Sequence, residues 1–309
     1  MKIHDLKEQF RNGAVDKARY IELMAEKHKV LFEYADELKH TDIVEINISD
    51  EGVEFVTRNH GLRFLCTKPD WGIAPIRMFN LGSYEESEIS MCLSLIKPGF
   101  TIFDVGANVG WFSLIISKNI PNVSLHSFEP IPATFDNLNR NITLNGGFPK
   151  IKTYNLGFYS EDTNLKLFYD SECSGRTSAA NLAEIDVSEV TCSFKKMDSF
   201  VREMNIQQLD FVKCDVEGAE YFVYQGGIES LRKFKPIIFS EMLRKWSAKF
   251  NYHPNDIINF LSKIGYLCFV IHEDKLEQFT LMNENTLETN FIFLHEKKHA
   301  QQIKDKASL

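Results

Sequence analysis

Thr101-Ile102-Phe103-Asp104-Val105-Gly106-Ala107-Asn108-Val109-Gly110 is the stretch that decides the fold. Apolar residues of strand type run into two glycines, and Trp111–Lys118 continues at once as an apolar helix. A strand entering a helix through Gly106 and Gly110 brings bare backbone within reach of a ligand, and the first helical amides then point at an anionic group. The pattern is D-x-G-x-x-x-G, with Asn108 where a dinucleotide fingerprint has its second glycine. Such a loop suits a ligand without a pyrophosphate. No G-x-x-x-x-G-K-[ST] run occurs, which excludes a P-loop nucleotide site. The next strand ends in Phe128-Glu129-Pro130, 25 residues beyond Asp104. An acid there can accept both hydroxyls of a ribose, or merely favour the dipole of a helix beginning near Pro132.

Outward from this turn, short apolar strands alternate with helices. The strand candidates are Thr101–Val105, Val123–Phe128, Ile151–Leu156, Phe211–Cys214, Pro236–Ser240, Tyr266–Ile271 and Phe291–Leu294. Alternation of this kind predicts a mostly parallel sheet with helices on both faces, and ligands beyond the strands' C-terminal ends. Residues 1–83 differ in texture. Ile21, Met24, His28, Leu31, Ala35 and Leu38 recur at helical spacing, and from residue 43 the period switches to two in a small β-meander. We therefore expect an accessory N-terminal region over 1–83, either capping the site or joining two copies, and a catalytic domain over 84–309.

Of 309 residues, 44% are hydrophobic and 25% charged, which excludes disordered and low-complexity classes. The net charge of −8 argues against a sequence-independent nucleic-acid binder. No apolar run is long enough to cross a bilayer, and Met1–Phe10 has no signal-peptide core, so a cytoplasmic location is expected. The six cysteines (Cys66, Cys92, Cys173, Cys192, Cys214 and Cys268) form no C-x-x-C pair and read as small buried hydrophobes.

Asp104–Gly110 (DVGANVG), Phe128–Pro130 (FEP), Asn155–Gly157 (NLG) and above all Asp210–Glu220 (DFVKCDVEGAE) resemble the FkbM-type family of S-adenosylmethionine-dependent methyltransferases, over residues 84–295. The resemblance implies the Rossmann-like class I methyltransferase fold, with seven strands and the last one antiparallel. It also implies methyl transfer from S-adenosylmethionine, usually to a hydroxyl of a sugar or natural product. On this footing Asp104 faces the amino end of the methionine moiety, Gly106 and Gly110 allow close approach, and Glu129 holds the ribose. Asn108 belongs to the same cofactor turn. Leu156 or its neighbours cover the adenine, and Tyr84 and Glu85 line the cofactor mouth. Gly175-Arg176-Thr177-Ser178 is a loose version of the family's small-residue loop.

A sugar hydroxyl is a poor nucleophile and needs a base or a metal. Phe211, Lys213 and Asp215 share one strand face, which puts Asp215 at the strand tip. Asp215 is the first candidate for base or acceptor-orienting group, Glu241 the second and Glu217 the third. Glu217 and Glu220 also fit a first helical turn, where acids favour the dipole, and Glu220 is assigned that task. Asp215 and Glu241 could grip a divalent metal, but with no third clear ligand none is assigned. Lys213 reads as a partner for these acids. Arg244, Lys245 and Trp246 could contact a saccharide, and specificity is expected in the loops Ser171–Ser188 and Glu241–His253. His126, His253 and His272 read as structural or solvated. The competing readings are a non-catalytic nucleoside-binding protein and, disfavoured by Asn108, an NAD-dependent dehydrogenase.

Overall fold

The computed structural model describes residues 1–66, 68–170, 172–173 and 188–307. Helices α1 (Ile3–Arg11) and α2 (Lys17–Glu37) precede an antiparallel meander of β1 (Ile43–Ile48), β2 (Val53–Thr57) and β3 (Arg63–Cys66). Then come α3 (Ala74–Leu81), α4 (Glu86–Leu95), β4 (Thr101–Val105), α5 (Trp111–Asn119), β5 (Ser124–Phe128), α6 (Pro132–Leu144) and β6 (Ile151–Tyr154). A small sheet of β7 (Gly157–Phe158), β8 (Thr163–Tyr169) and β9 (Ser188–Lys195) interrupts the alternation. It resumes with α7 (Met197–Glu203), β10 (Phe211–Cys214), α8 (Glu220–Gly226), α9 (Ile228–Phe234) and β11 (Ile237–Glu241). The last elements are α10 (Arg244–Ser247), α11 (Pro254–Ser262), β12 (Tyr266–His272), β13 (Lys275–Phe279), β14 (Asn290–His295) and α12 (Ala300–Lys306).

The main sheet has the order β13-β12-β14-β11-β10-β4-β5-β6. Strands β6, β5, β4, β10 and β11 run parallel, and β14 lies antiparallel between β11 and β12. This is the Rossmann-like α/β architecture that the resemblance implies, with eight strands rather than seven. The eighth arises because the chain reverses at Glu273, with φ 56°, so that β12 folds back on β13 as a hairpin. In β13 only Leu276 is buried, so the segment lacks the apolar pattern of a core strand.

Period-two alternation sorts the side chains onto two faces. Ile102, Phe211, Ile237 and Phe239 pack with α4 and α5, while Phe103, Val105, Val212, Cys214 and Ile238 pack with α7, α8 and α11. Strand order reverses between β4 and β10, which are hydrogen-bonded neighbours. Ligands in open α/β sheets bind at such a reversal.

The meander joins the main core through Leu62 and Phe64, which cluster with Ile115, Leu138 and Ile142. Its edge strand β3 is covered by amides of α6. Asn141 Oδ1 accepts from Leu65 N at 3.0 Å, Asn145 Oδ1 accepts from Arg63 N at 2.9 Å, and Asn145 Nδ2 donates to Arg63 O at 2.7 Å. Unpaired strand groups are thereby satisfied. Among the described residues no helix is long and apolar enough to cross a membrane.

Candidate active site

The tips of β4, β10 and β11 meet at the reversal. Asp104, Lys213 and Glu241 share strand parity with Ile102, Phe211 and Ile237, so they emerge on the face covered by α4 and α5. Asp215 continues that parity just past β10. Helix α4 is entered through Glu85, held in the left-handed region at φ 51°, which brings Tyr84 and Glu85 to the same tips. Glu217, at φ 53°, occupies the turn between β10 and α8. Lys213, Asp215, Glu217, Glu241, Tyr84 and Glu85 line a cleft of about 370 Å³.

One end of the cleft is built from the glycine turn. A Cβ on Gly106, at φ 79°, would stand 1.8 Å from Asp215 O, so only glycine lets the β4 turn lie against the end of β10. Gly106 N and Ala107 N both donate to Phe128 O, at 3.0 and 2.9 Å. Glu129 is buried and held from two sides: Oε2 accepts from Asn108 N at 3.0 Å and Oε1 from Ile131 N at 2.9 Å. Burial pushes its acid up to about 7, although the two amides pull the other way. Each oxygen keeps a second lone pair, so Glu129 can serve the start of α6 and still accept two hydroxyls.

The other end is crowded with carboxylates around one buried lysine. Lys213 Nζ donates to Gly106 O at 2.9 Å and stands 3.2 Å from Asp215 Oδ2 and 3.7 Å from Asp104 Oδ1. Burial works against its charge, but Asp215, Asp104 and Glu85 outweigh it and hold the ammonium above its ordinary range. Burial and the neighbouring Asp215 push Glu85 up to about 7. The same two causes push Glu217 and Glu241 well above the usual carboxylate range, and Glu241 is hydrogen-bonded to Asp215. One oxygen from each of Asp215, Glu217 and Glu241 lies within 4.8 Å of the others. Glu217, the third candidate in the sequence, thus joins the other two as a possible third ligand, and Lys213 stands 3.2 Å from Asp215.

Of the residues singled out in the sequence, Gly106, Asn108, Glu129, Tyr84, Glu85, Asp215, Glu217 and Glu241 line this one cleft. Three others do not. Asp104 is fully buried behind Lys213, its cross-strand partner, with Oδ2 accepting from Ser113 Oγ at 2.5 Å. Gly110 serves packing: a Cβ there would meet Leu138 Cδ1 at 2.7 Å. Leu156 packs on the core under α7 and α8, and Gly157, Phe158 and Tyr159 line the cleft in its place. Glu220, expected only to favour the helix dipole, accepts from Val216 N and Gly218 N, both at 3.0 Å, and so fixes the turn before α8.

The minor candidates separate cleanly. Lys245 and Trp246 line the cleft, with Lys245 Nζ 4.1 Å from the Trp246 ring centre. Arg244 instead donates to Glu284 O and Thr286 O, at 3.2 and 3.3 Å. His253 accepts from Asn255 N at the start of α11, buried His126 bonds Tyr154 Oη at 3.0 Å, and His272 ends β12 exposed. The loop Gly175–Ser178, like most of 171–188, lies outside the described residues. The sequence missed Arg77, Trp71 and Trp111, and the wall that Leu165, Leu167 and Phe194 of the small sheet supply. A lone cation within the apolar run Ala74–Phe79 was the available clue to Arg77.

The description "Methyltransferase FkbM domain" matches residues 104–268. The chain is similar to "Methyltransferase 1" of Beauveria bassiana (strain ARSEF 2860), 28% identical over 143 residues, covering 40% of this chain and 57% of the relative. It is similar to "Methyltransferase sdnD" of Sordaria araneosa, 29% identical over 153 residues, covering 40% and 59%. It also resembles the "31-O-demethyl-FK506 methyltransferase FkbM" of Streptomyces tacrolimicus, 24% identical over 157 residues, covering 42% and 60%. The chain thus spans about three fifths of the length of these relatives. With the match running from Asp104 at the end of β4 to Cys268 in β12, more than half its residues, the chain belongs to the FkbM methyltransferase domain family.

Proposed function

We propose that this chain is an S-adenosylmethionine-dependent O-methyltransferase acting on a hydroxyl of a sugar or natural-product small molecule. The observation that carries the proposal is that one cleft holds Glu129 at one end and the Asp215–Glu217–Glu241 group at the other. The lining supports it. Five acids (Glu85, Glu129, Asp215, Glu217 and Glu241) and three bases (Arg77, Lys213 and Lys245) face the cleft, and the carboxyl oxygens can accept hydrogen bonds from the ammonium of the donor's methionine moiety. Buried Asp104 Oδ1, which finds no hydrogen-bond partner among the described residues, stands 3.7 Å from Lys213 Nζ and backs it from behind.

When bound, the donor supplies the methyl carbon and departs as a neutral thioether. Glu129 holds the ribose hydroxyls, and the Gly106–Asn108 backbone sets how closely the nucleoside approaches. Fixing acceptor and donor in line is worth roughly 7–11 kcal/mol. Asp215, anchored by Lys213, takes the hydroxyl proton on its carboxylate, and a placed base contributes about 10²–10⁴-fold. Glu241 donates its hydrogen bond to Asp215 and keeps that carboxylate oriented. Trp246 and Tyr159 offer aromatic faces to a saccharide ring. The Streptomyces relative, named for an O-demethylated acceptor, supports transfer to oxygen. A protein that only bound nucleosides would leave the acid group at the strand tips without a task.

Titration calorimetry with S-adenosylmethionine tests the proposal. Binding that weakens in Glu129→Ala is expected, and no binding, or the same affinity in that variant, removes the cofactor assignment.

A further inference from the structure

Helix α2 runs for 21 residues and buries none of them. At 1.5 Å per residue it is about 31 Å long. Helices in proteins owe most of their stability to packing an apolar face. Here Ile21, Leu31 and Phe32 are 56%, 48% and 74% exposed. Contacts within the chain cover the two ends of this face: α1 packs beside its start, and Leu38 at its close packs with Ile43, Ala74 and Met78. Phe10 of α1 stacks on Tyr20 at 4.4 Å, and Phe79 of α3 meets Tyr34 edge-on at 5.0 Å.

The residues of this face follow a definite spacing, with Met24 and Leu38 half-buried and the others exposed. Ile21, Met24, His28, Leu31, Ala35 and Leu38 are separated alternately by three and four positions, the seam of a two-stranded coiled coil. Ala18, Ala25 and Phe32 widen it on one side. Charge then selects the occupant. Residues 17–29 carry Lys17, Arg19, Lys27 and Lys29 against Glu22 and Glu26, a net +2. Residues 30–37 carry Glu33, Asp36 and Glu37, a net −3. Laid antiparallel on a second α2, each basic half meets an acidic half, whereas a parallel pair sets like on like. The acidic half also opposes an anionic membrane surface.

We infer that α2 pairs antiparallel with α2 of a second copy of this chain, forming a two-fold dimer. The seam is self-complementary in this arrangement. Met24 meets Ala35 of the second copy and His28 meets Leu31, while Ile21 lies over the half-buried Leu38 at the helix end. That register is what a two-fold axis between His28 and Leu31 requires. Neither α1 nor α2 lines the cleft, so pairing leaves the candidate active site of each copy open.

Sedimentation equilibrium of the full chain over a concentration series tests this directly. The wild type is expected at twice the chain mass. The double variant Leu31→Asp/Phe32→Asp, altered only at exposed positions, raises the dimer dissociation constant at least about tenfold. An unchanged circular dichroism spectrum shows that each copy still folds, since loss of the dimer itself shifts the melting temperature. A wild type that stays monomeric, or a dimer indifferent to these substitutions, overturns the inference. Orientation is read by cysteine cross-linking, since the native cysteines are buried or half-buried. Met24→Cys mixed with Ala35→Cys forms a linked dimer in the antiparallel pair, and neither links efficiently to itself. Self-linking of Met24→Cys alone overturns the antiparallel arrangement.

Discussion

At the Glu129 end of the cleft, each carboxylate oxygen is held by a backbone amide, whereas at the Asp215 end three carboxylates gather beside one lysine. The first end is satisfied before any ligand arrives, so its geometry is set by the turn between β4 and α5 and by the start of α6. At the second end burial, and after it the charge of Asp215, push Glu217 and Glu241 well above the usual carboxylate range. A rigid, satisfied end suits recognition. A loaded end suits a cationic reactant and proton transfer, because like charges push carboxylate pKa values toward neutrality. Lys213 joins the two, touching Gly106 O on one side and Asp215 on the other.

If this division of labour holds, substitutions at the two ends separate turnover from affinity. The largest effect is expected in Asp215→Asn, where turnover falls about 10²–10⁴-fold while calorimetry shows donor affinity retained. Equal turnover would remove Asp215 from the chemistry and break the comparison. Gly106→Ala strikes both ends at once, because its Cβ would collide with Asp215 O at a backbone angle that favours glycine. Urea unfolding should register a loss of about 2–4 kcal/mol, and a variant of wild-type stability would contradict the packing described here. Glu129→Ala is expected to weaken donor binding by about 10–100-fold, the worth of hydrogen bonds to a charged group, with turnover at saturating donor largely preserved. A fall in turnover alone would place Glu129 at the wrong end.

The smallest effect is the most diagnostic of charge. Glu85 and Glu129 are pushed to about 7 from an ordinary value of 4.5. Between these values the folded protein holds protons that the unfolded chain has released, so these groups lower stability as pH rises through that window. Melting temperatures of Glu85→Gln relative to wild type should therefore improve from pH 4.5 to pH 7. A relative stability that is flat or declines over that range would contradict the rise that burial and Asp215 impose on Glu85.

The parts of this site that follow local rules were legible in the sequence. The strand–glycine turn, the acid closing β5, and the shared face of Phe211, Lys213 and Asp215 depend only on short-range periodicity and turn chemistry. What depends on neighbours across the sheet was not. Asp104 was expected in the cleft, yet the parallel register pairs it with Lys213, whose side chain intervenes. Gly110 carries the same local character as Gly106, and only the approach of Leu138 from α6 shows that it serves packing. Glu217 was divided between helix dipole and site until the left-handed turn placed it beside Asp215 and Glu241. The wall formed by Leu165, Leu167 and Phe194 belongs to a sheet whose strands are too polar on one face to stand out.

The most direct test is diffraction from crystals soaked with S-adenosylhomocysteine. The account predicts that the ribose hydroxyls rest on Glu129 and that the sulfur faces Asp215 within the same cleft. A nucleoside bound elsewhere, or a thioether turned away from the carboxylates at the strand tips, would contradict it.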